Sequence, residues 1–226
     1  MQIDNKTLVV FPGAGSPSNP LYSKVYGLIE SGALKFGYKS VDLSTRWPGQ
    51  QLASDSDVLS LNFHTSLEVA ARLIGEYEAS GVTPYDILGR SYGTYVSLKI
   101  AELLRPKFLR RLILWGTPPF WRMWQIYVRD FDKSYEVAKT KEVLIGRDMF
   151  PSLEPIEPLI CASTYPVIIA SGTADIYSTP RDVTSFRALA GNDNVEFRPP
   201  VEGAPHEVTE DSPSALVDEY LKALFC

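Results

Sequence analysis

The sequence contains little cysteine and little histidine, and both shortages narrow the chemistry that it can support. Only two of the 226 residues are cysteines, Cys161 and Cys226. Two cysteines are too few for a disulfide framework, and neither has the CxxC spacing of a metal site. Histidine occurs only at His64 and His206. Any reaction that needs an imidazole must therefore use one of these two side chains, and no metal site is expected.

Basic charge and long apolar runs are also scarce. The formal net charge is −5 at neutral pH, so the chain offers no basic surface to nucleic acid or to an anionic membrane. The densest basic run, residues 105–111, follows a helical pattern and is expected to be a solvated helix end. The N-terminal apolar run is too short for a signal peptide or a membrane span. We therefore expect a cytoplasmic protein with no nucleic-acid partner, and the oligomeric state stays open.

Short apolar, β-branched runs alternate with longer segments of helical spacing along the chain. The pattern predicts strands at residues 7–11, 38–43, 85–89, 109–115, 166–171 and 195–199. It predicts helices at residues 21–34, 65–80, 92–104, 180–190 and 213–224. Strands that are apolar throughout are typical of a parallel sheet covered on both faces. We predict one three-layer α/β domain over residues 1–226, with a mostly parallel sheet of about six strands and helices on both faces.

Residues 117–162 interrupt this alternation, because the segment is too long for a simple crossover between two strands. Its aromatic residues recur at roughly helical spacing, which predicts a small helical cap or lid inserted above the sheet. A long helical crossover packed on the outside is the alternative. Four aromatic residues of the segment are candidates for an apolar acyl or alcohol pocket: Phe120, Trp121, Trp124 and Tyr127. Core packing beneath a lid would explain the same residues equally well.

The motif G-x-S-x-G at residues 89–93, GRSYG, lies between a predicted strand and a predicted helix. This context is typical of a nucleophile elbow, in which the serine occupies a tight, strained turn. Gly89 and Gly93 remove side chains that would collide with the adjoining backbone. The Ser91 hydroxyl would then stand clear near the N-terminus of the following helix. An ordinary strand–helix turn is the alternative interpretation.

A serine nucleophile needs a base within hydrogen-bonding reach and a third group that orients the base. His206 lies on a Gly/Pro loop after the last predicted strand, where α/β enzymes place their chemistry, whereas His64 is expected only to open a helix. Asp175 follows the neighbouring strand and is the predicted orienting carboxylate, with a turn or helix cap as its alternative role. Asp182, in a helix start, and Asp211, a local cap, are weaker candidates.

Two backbone amides would have to stabilise a developing oxyanion beside the serine. The amide of Tyr92 is one predicted donor. The second is expected in the small-residue loop after the first strand, residues 11–16, with Ala14 as the first choice and Gly15 as the second. A glycine-rich phosphate loop is the alternative, but the loop lacks both GxGxxG and GK[ST].

Three motifs occur in the order nucleophile, acid, histidine: GRSYG at residues 89–93, G-x-x-D at residues 172–175, and GAPHE around His206. Together they resemble the α/β-hydrolase superfamily over nearly the whole chain. The resemblance implies the α/β-hydrolase fold, a catalytic triad of Ser91, Asp175 and His206, and an oxyanion hole formed by the PGAG loop and Tyr92. FPGAG at residues 11–15 is similar to the oxyanion loop of type II thioesterases. Many members of the superfamily have His-Gly where this chain has Pro12-Gly13.

These features predict a serine hydrolase that cleaves a carboxylic ester or thioester through an acyl-serine intermediate. The expected partner is a small-molecule acyl substrate, and the mechanism needs no metal and no organic cofactor. Acyl transfer, C–C cleavage or lactone formation on the same scaffold stay open, because a fold does not determine a reaction. A non-catalytic protein that binds a ligand in the same pocket is a further alternative.

Overall fold

A six-stranded parallel sheet forms the centre of the computed structural model. The structure describes residues 6–13, 20–43, 63–80, 84–119, 137–140, 143–146, 155–189 and 191–226. The strands are β1 (Thr7–Phe11), β2 (Ser40–Asp42), β3 (Tyr85–Arg90), β4 (Leu109–Trp115), β5 (Val137–Thr140), β6 (Val143–Gly146), β7 (Val167–Ala170) and β8 (Val195–Phe197). The sheet has the order β2-β1-β3-β4-β7-β8, which confirms the predicted parallel architecture.

Helices cover both faces of the sheet. They are α1 (Pro20–Lys35), α2 (Phe63–Ser80), α3 (Tyr92–Leu104), α4 (Ile156–Ala162), α5 (Pro180–Leu189) and α6 (Ser214–Phe225). Alternate side chains of a strand point to opposite faces. In β1, Val9 and Phe11 therefore join the core under α2, α3 and α4, whereas Leu8 and Val10 join the core under α1 and α6. This double burial explains why the strands are apolar throughout.

The register of the parallel strands brings the loops of the site to one edge. Phe11 at the end of β1 pairs with Gly89 of β3, and Gly89 pairs with Leu114 of β4. Trp115 at the end of β4 pairs with Ala170 at the end of β7. Because all these strands run in one direction, the segments that follow them converge at a single rim of the sheet.

The segment 117–162, predicted as a helical cap, is described only in part. Its described residues include a two-stranded antiparallel sheet, in which Val137–Thr140 pairs with Val143–Gly146. Helix α4 closes the segment and buries Ile156 and Ile160 in the core against the sheet, so this part belongs to the helical layer. Residues 120–136 lie outside the described residues, and a lid over the site stays a prediction.

A buried ion cluster lies at the opposite end of the sheet. The Asp86 carboxylate, near the start of β3, accepts hydrogen bonds from Tyr38 Oη at 2.5 Å and Arg111 Nε at 2.9 Å. Arg110 Nε lies 3.2 Å from the second carboxylate oxygen. Burial, reinforced by Asp86, raises the pKa of Tyr38, which keeps the phenol a donor. Two arginines of the basic run thus pair with a buried carboxylate, and the expectation of a merely solvated helix end was wrong for them.

Candidate active site

Ser91 occupies a strained turn between β3 and α3. Its backbone has φ 51° and ψ −119°, a conformation that costs a non-glycine residue about 1–3 kcal/mol. The Ser91 amide donates to the carbonyl of Trp115 at 3.0 Å, which ties the turn to the end of β4. The Ser91 carbonyl accepts bonds from the amide and the hydroxyl of Thr94. The Ser91 side chain makes no helix-capping hydrogen bond, so its hydroxyl is not used to stabilise the helix.

The two glycines of the motif permit close backbone packing around this turn. A Cβ on Gly89 would lie 2.5 Å from Ser97 Oγ and 2.7 Å from the Gly93 carbonyl oxygen. A Cβ on Gly93 would lie 2.0 Å from the carbonyl oxygen of Phe11. None of these three distances is compatible with a side chain in this backbone arrangement. The glycines therefore allow helix α3 to approach β1, as the sequence motif predicts.

Asp175 and His206 form a buried hydrogen-bonded pair. His206 Nδ1 lies 2.8 Å from Asp175 Oδ2, and the two residues are 5% and 2% exposed. The other carboxylate oxygen, Oδ1, accepts the amides of Tyr177 at 2.8 Å and Ser178 at 2.9 Å. With both oxygens engaged, the carboxylate has a single orientation. A carboxylate can only accept a hydrogen bond, so Nδ1 is the protonated ring nitrogen, and the lone pair lies on Nε2 of the imidazole.

Backbone contacts join the loops that carry this pair. The Ala174 amide donates to the Ala204 carbonyl at 3.1 Å, and the Gly203 amide donates to Thr173 Oγ1 at 2.7 Å. A Cβ on Gly172 would lie 1.9 Å from the Ala204 carbonyl oxygen. The first residue of the G-x-x-D motif is thus a glycine because the histidine loop passes directly over it.

Gly116 links the serine turn to the histidine pair. It directly follows Trp115, whose carbonyl receives the Ser91 amide. A Cβ on Gly116 would lie 2.8 Å from His206 Cε1 and 3.0 Å from Asp175 Oδ2. Ser91 and His206 therefore flank the same end of β4. Among the described residues, no hydrogen bond connects the Ser91 hydroxyl to the His206 imidazole.

Several contacts of His206 were not predicted from the sequence. Its carbonyl accepts hydrogen bonds from Arg90 Nη2 and from Trp115 Nε1, both at 3.1 Å. Arg90 Nη2 also donates to Glu207 Oε1 at 2.9 Å. The ring of Tyr177 packs edge-on against the imidazole at 4.9 Å between centroids. The unusual position of Arg90 inside the elbow motif was the one sequence signal of this arrangement. It did not indicate that Arg90 would bond to the His206 carbonyl and to Glu207.

The loop after β1 approaches the serine from the other side. A Cβ on Gly13 would lie 3.1 Å from Ser91 Cβ, and the Gly13 amide donates to Tyr26 Oη at 2.9 Å. Ala14, the predicted oxyanion donor, lies outside the described residues, as do Gly15 and the four aromatic pocket candidates. Tyr92 begins α3, where backbone amides point away from the helix.

The weaker candidates have other partners or positions. His64 is exposed in the first turn of α2. Asp182 accepts hydrogen bonds from the amide and hydroxyl of Thr179 at the start of α5. Asp211 pairs with Lys24 at 2.5 Å. None of these contacts brings the residue to His206.

Among the residues that the structure describes, no group of three His, Cys, Asp or Glu side chains is arranged to hold a metal ion. None of the described helices combines the length and the apolar composition needed to cross a membrane.

The sequence matches no protein-family model and no curated protein, but its fold matches solved structures. The esterase domain of a Rhodothermus marinus protein has 16% identity and a TM-score of 0.64, over 97% of this chain and 84% of that one. A putative hydrolase from Agrobacterium vitis S4 has 15% identity and a TM-score of 0.68, over 98% and 87%. An extracellular α/β-hydrolase from a Paenibacillus species has 12% identity and a TM-score of 0.66, over 96% and 98%. Together with the sheet order and the serine turn, these matches establish that the chain has the α/β-hydrolase fold.

Proposed function

We propose that this protein is a serine hydrolase that cleaves a carboxylic ester or thioester through an acyl-serine intermediate. The observation that carries the proposal is the buried hydrogen bond between His206 Nδ1 and Asp175 Oδ2, beside a strained turn that presents Ser91. An imidazole oriented in this way has its Nε2 lone pair available as a general base. The fold similarity to an esterase domain agrees with this chemistry.

The proposed reaction has two halves. In the first, His206 Nε2 removes the Ser91 proton as Oγ attacks the acyl carbonyl, and the imidazolium then protonates the departing alcohol or thiol. In the second, the imidazole removes a proton from water as the water oxygen attacks the acyl-serine; the bond from the acyl carbon to Oγ then breaks, the imidazolium returns its proton to Oγ, and the carboxylic acid is released. Asp175 stays a carboxylate and stabilises the imidazolium in both halves. No metal or organic cofactor takes part.

The oxyanion of each tetrahedral intermediate would lie between the two strand-end loops. Tyr92 would donate one amide hydrogen bond from the start of α3. The Gly13 amide is bonded to Tyr26, so the second donor is expected further along the loop, at Ala14. The close approach of Gly13 to Ser91 supports this arrangement.

One described residue bears on the substrate. Ile176 directly follows Asp175 and is 67% exposed, so it adds apolar surface to the loop that carries the catalytic acid. An apolar acyl or alcohol group agrees with this surface. Phe120, Trp121, Trp124 and Tyr127 remain the proposed walls of the pocket.

Labelling with a fluorophosphonate probe tests the proposal directly. We expect the probe to modify Ser91, as identified by mass spectrometry of the peptides, because the proposed mechanism gives this hydroxyl an activating base. A panel of short p-nitrophenyl esters and matched acyl thioesters, assayed in parallel, should distinguish the two substrate classes. An unlabelled Ser91 in folded protein would favour a non-catalytic ligand-binding role instead.

Gly116→Ala should lower kcat by about 100-fold, because the new Cβ would displace the imidazole and the carboxylate that it faces. Gly37→Ala is the matched control. Both glycines have positive φ, 59° and 84°, so alanine strains the backbone at either position, but a Cβ on Gly37 meets nothing within 4 Å. We expect Gly37→Ala to lose stability without losing kcat. Hydrolysis of p-nitrophenyl acetate and thermal unfolding measure the two effects, and equal kcat values for the two variants would contradict the proposed role of His206.

A further inference from the structure

Arg90 is a buried cation adjacent in sequence to the proposed nucleophile, Ser91. The residue is only 5% exposed and precedes Ser91 directly in the chain. Its Nη2 bonds to the His206 carbonyl and to the Glu207 carboxylate. On its other side, Nη1 lies 3.0 Å from the position that a Cβ of Gly13 would take. A side chain of the strand that precedes Ser91 thus bonds to the histidine loop and lies close to the loop after β1.

This arrangement is an inefficient way to stabilise a fold. Transfer of a guanidinium from water to a protein interior costs several kcal/mol, which one ion pair often fails to recover. Arg90 Nε has no hydrogen-bond partner among the described residues, which adds to the cost. Burial acts to lower the pKa of Arg90, but Tyr26 and Glu207 together raise it above its ordinary value. The side chain therefore stays charged, and its contacts call for a role other than stability.

We propose that Arg90 is a positioning residue that holds the histidine loop in register with the serine turn. This inference rests on the proposed function. The guanidinium fixes the His206 carbonyl and the adjacent Glu207 side chain, and because Arg90 neighbours Ser91, base and nucleophile are held by the same residue. A misplacement of about 1 Å in a reacting group can cost about 100-fold in rate.

The planar guanidinium suits this role better than an ammonium group. Its N–H groups diverge at fixed angles, so that one side chain can serve a carbonyl and a carboxylate together. Trp115 Nε1 also bonds to the His206 carbonyl, but from the end of β4. Arg90 alone of these two donors connects His206 to the strand that ends at the serine.

Arg90→Gln is the main test variant. The fold should tolerate loss of the Arg90 guanidinium, because the Glu207 side chain is 35% exposed and water can solvate its carboxylate once it is unpaired. We expect kcat for p-nitrophenyl acetate to fall by about 10–100-fold with KM within about twofold. The His206 Nδ1–H proton resonance, assigned by its loss in His206→Gln, should shift or broaden. Arg90→Lys should recover part of kcat, because it keeps the charge but not the fork.

Arg111→Gln is the matched control. Arg111 also bonds to a carboxylate from the same sheet, that of Asp86, and Arg110 remains to compensate for its loss. Asp86 lies four residues before Arg90 on β3, or roughly 13 Å along the strand. We expect Arg111→Gln to lower the unfolding temperature while kcat and the His206 resonance stay unchanged.

The outcomes separate this inference from the proposed function. Retained kcat and an unchanged resonance in Arg90→Gln, in an enzyme that is labelled at Ser91, would overturn the positioning role alone. The parent protein could also fail to label at Ser91 and fail to hydrolyse esters. If the His206 resonance still differs between Arg90→Gln and this parent, the positioning role is supported while the proposed function fails. If Arg90→Gln does not fold, Glu207→Gln is the alternative test variant. A fall in its kcat of about threefold or more, together with a shifted His206 resonance, supports the inference. Unchanged kcat and an unchanged resonance overturn it.

Discussion

Replacement of Ser91 by alanine should abolish ester hydrolysis and leave the fold intact. Without its nucleophile, a triad enzyme retains only the rate that its oxyanion donors and binding contacts supply, so kcat should fall on the order of 10⁵-fold. The Ser91 side chain makes no capping hydrogen bond, so its loss removes no stabilising contact of α3. Hydrolysis of p-nitrophenyl esters by the purified variant, with circular dichroism and thermal unfolding, measures both effects.

Ser91→Gly provides an independent check on the strained turn. It removes the same hydroxyl, but glycine adopts φ 51° without the penalty of a Cβ. We expect the glycine variant to be more stable than the alanine variant by about 1 kcal/mol, since relief of strain exceeds the entropic cost of glycine. A kcat close to that of the parent protein in either variant would exclude the acyl-serine mechanism.

Gly93→Ala should destabilise the protein by about 3 kcal/mol or more. The new Cβ would lie 2.0 Å from the Phe11 carbonyl oxygen and 2.7 Å from that of Pro12. Both contacts are with backbone, so no rotamer change relieves them, and α3 must move away from β1. Urea unfolding monitored by tryptophan fluorescence measures the loss, and the variant should also label poorly at Ser91, which shares the turn.

Gly75→Ala is the matched control for this prediction. Gly75 lies within α2, is exposed, and a Cβ there meets nothing within 4 Å. Alanine is favoured over glycine inside a helix, so this variant should gain about 0.5–1 kcal/mol. Similar unfolding free energies for Gly93→Ala and Gly75→Ala would mean that α3 does not pack on β1 as described.

Local sequence patterns predicted most elements to within a few residues. Strand Thr7–Phe11, helix Tyr92–Leu104 and strand Leu109–Trp115 have the predicted bounds. Each is a periodic or apolar run bordered by glycine, proline or a polar residue. These features influence the backbone only within a few neighbouring residues, so they can be identified from the local sequence. Strand β8 is shorter than predicted, because its expected last residue is Pro199, which has no amide hydrogen to donate to a sheet.

The segment 117–162 contains strands that the sequence patterns did not predict. The aromatic spacing that favoured helices ends at Tyr135, and beyond it Val137–Thr140 and Val143–Gly146 form an antiparallel pair. Strands of four residues are too short to show a clear alternation of apolar and polar residues. Whether they form also depends on pairing with a partner strand. The aromatic residues that suggested a helical cap lie outside the described residues, so that prediction stands untested.

The ion-pair partners of Arg90 and Arg111 could not be predicted. Arg90 and Glu207 are 117 residues apart in sequence, and Arg111 and Asp86 are 25 apart. Nothing in either neighbourhood specifies which charges meet, because that depends on strand order and on the path of two loops. Gly116 likewise looks like an ordinary turn glycine until His206 is seen to occupy the space beside it.

The sequence by itself determined the alternation of strands and helices, the sharp turn at Ser91, and the strand-end positions of Asp175 and His206. These depend on backbone sterics and on apolar periodicity, which act between near neighbours. Only the tertiary structure decided that His206 bonds to Asp175 and that Arg90 reaches the carbonyl of the same histidine. Such contacts arise from the register of parallel strands and the packing of loops at one rim, where residues distant in sequence become adjacent.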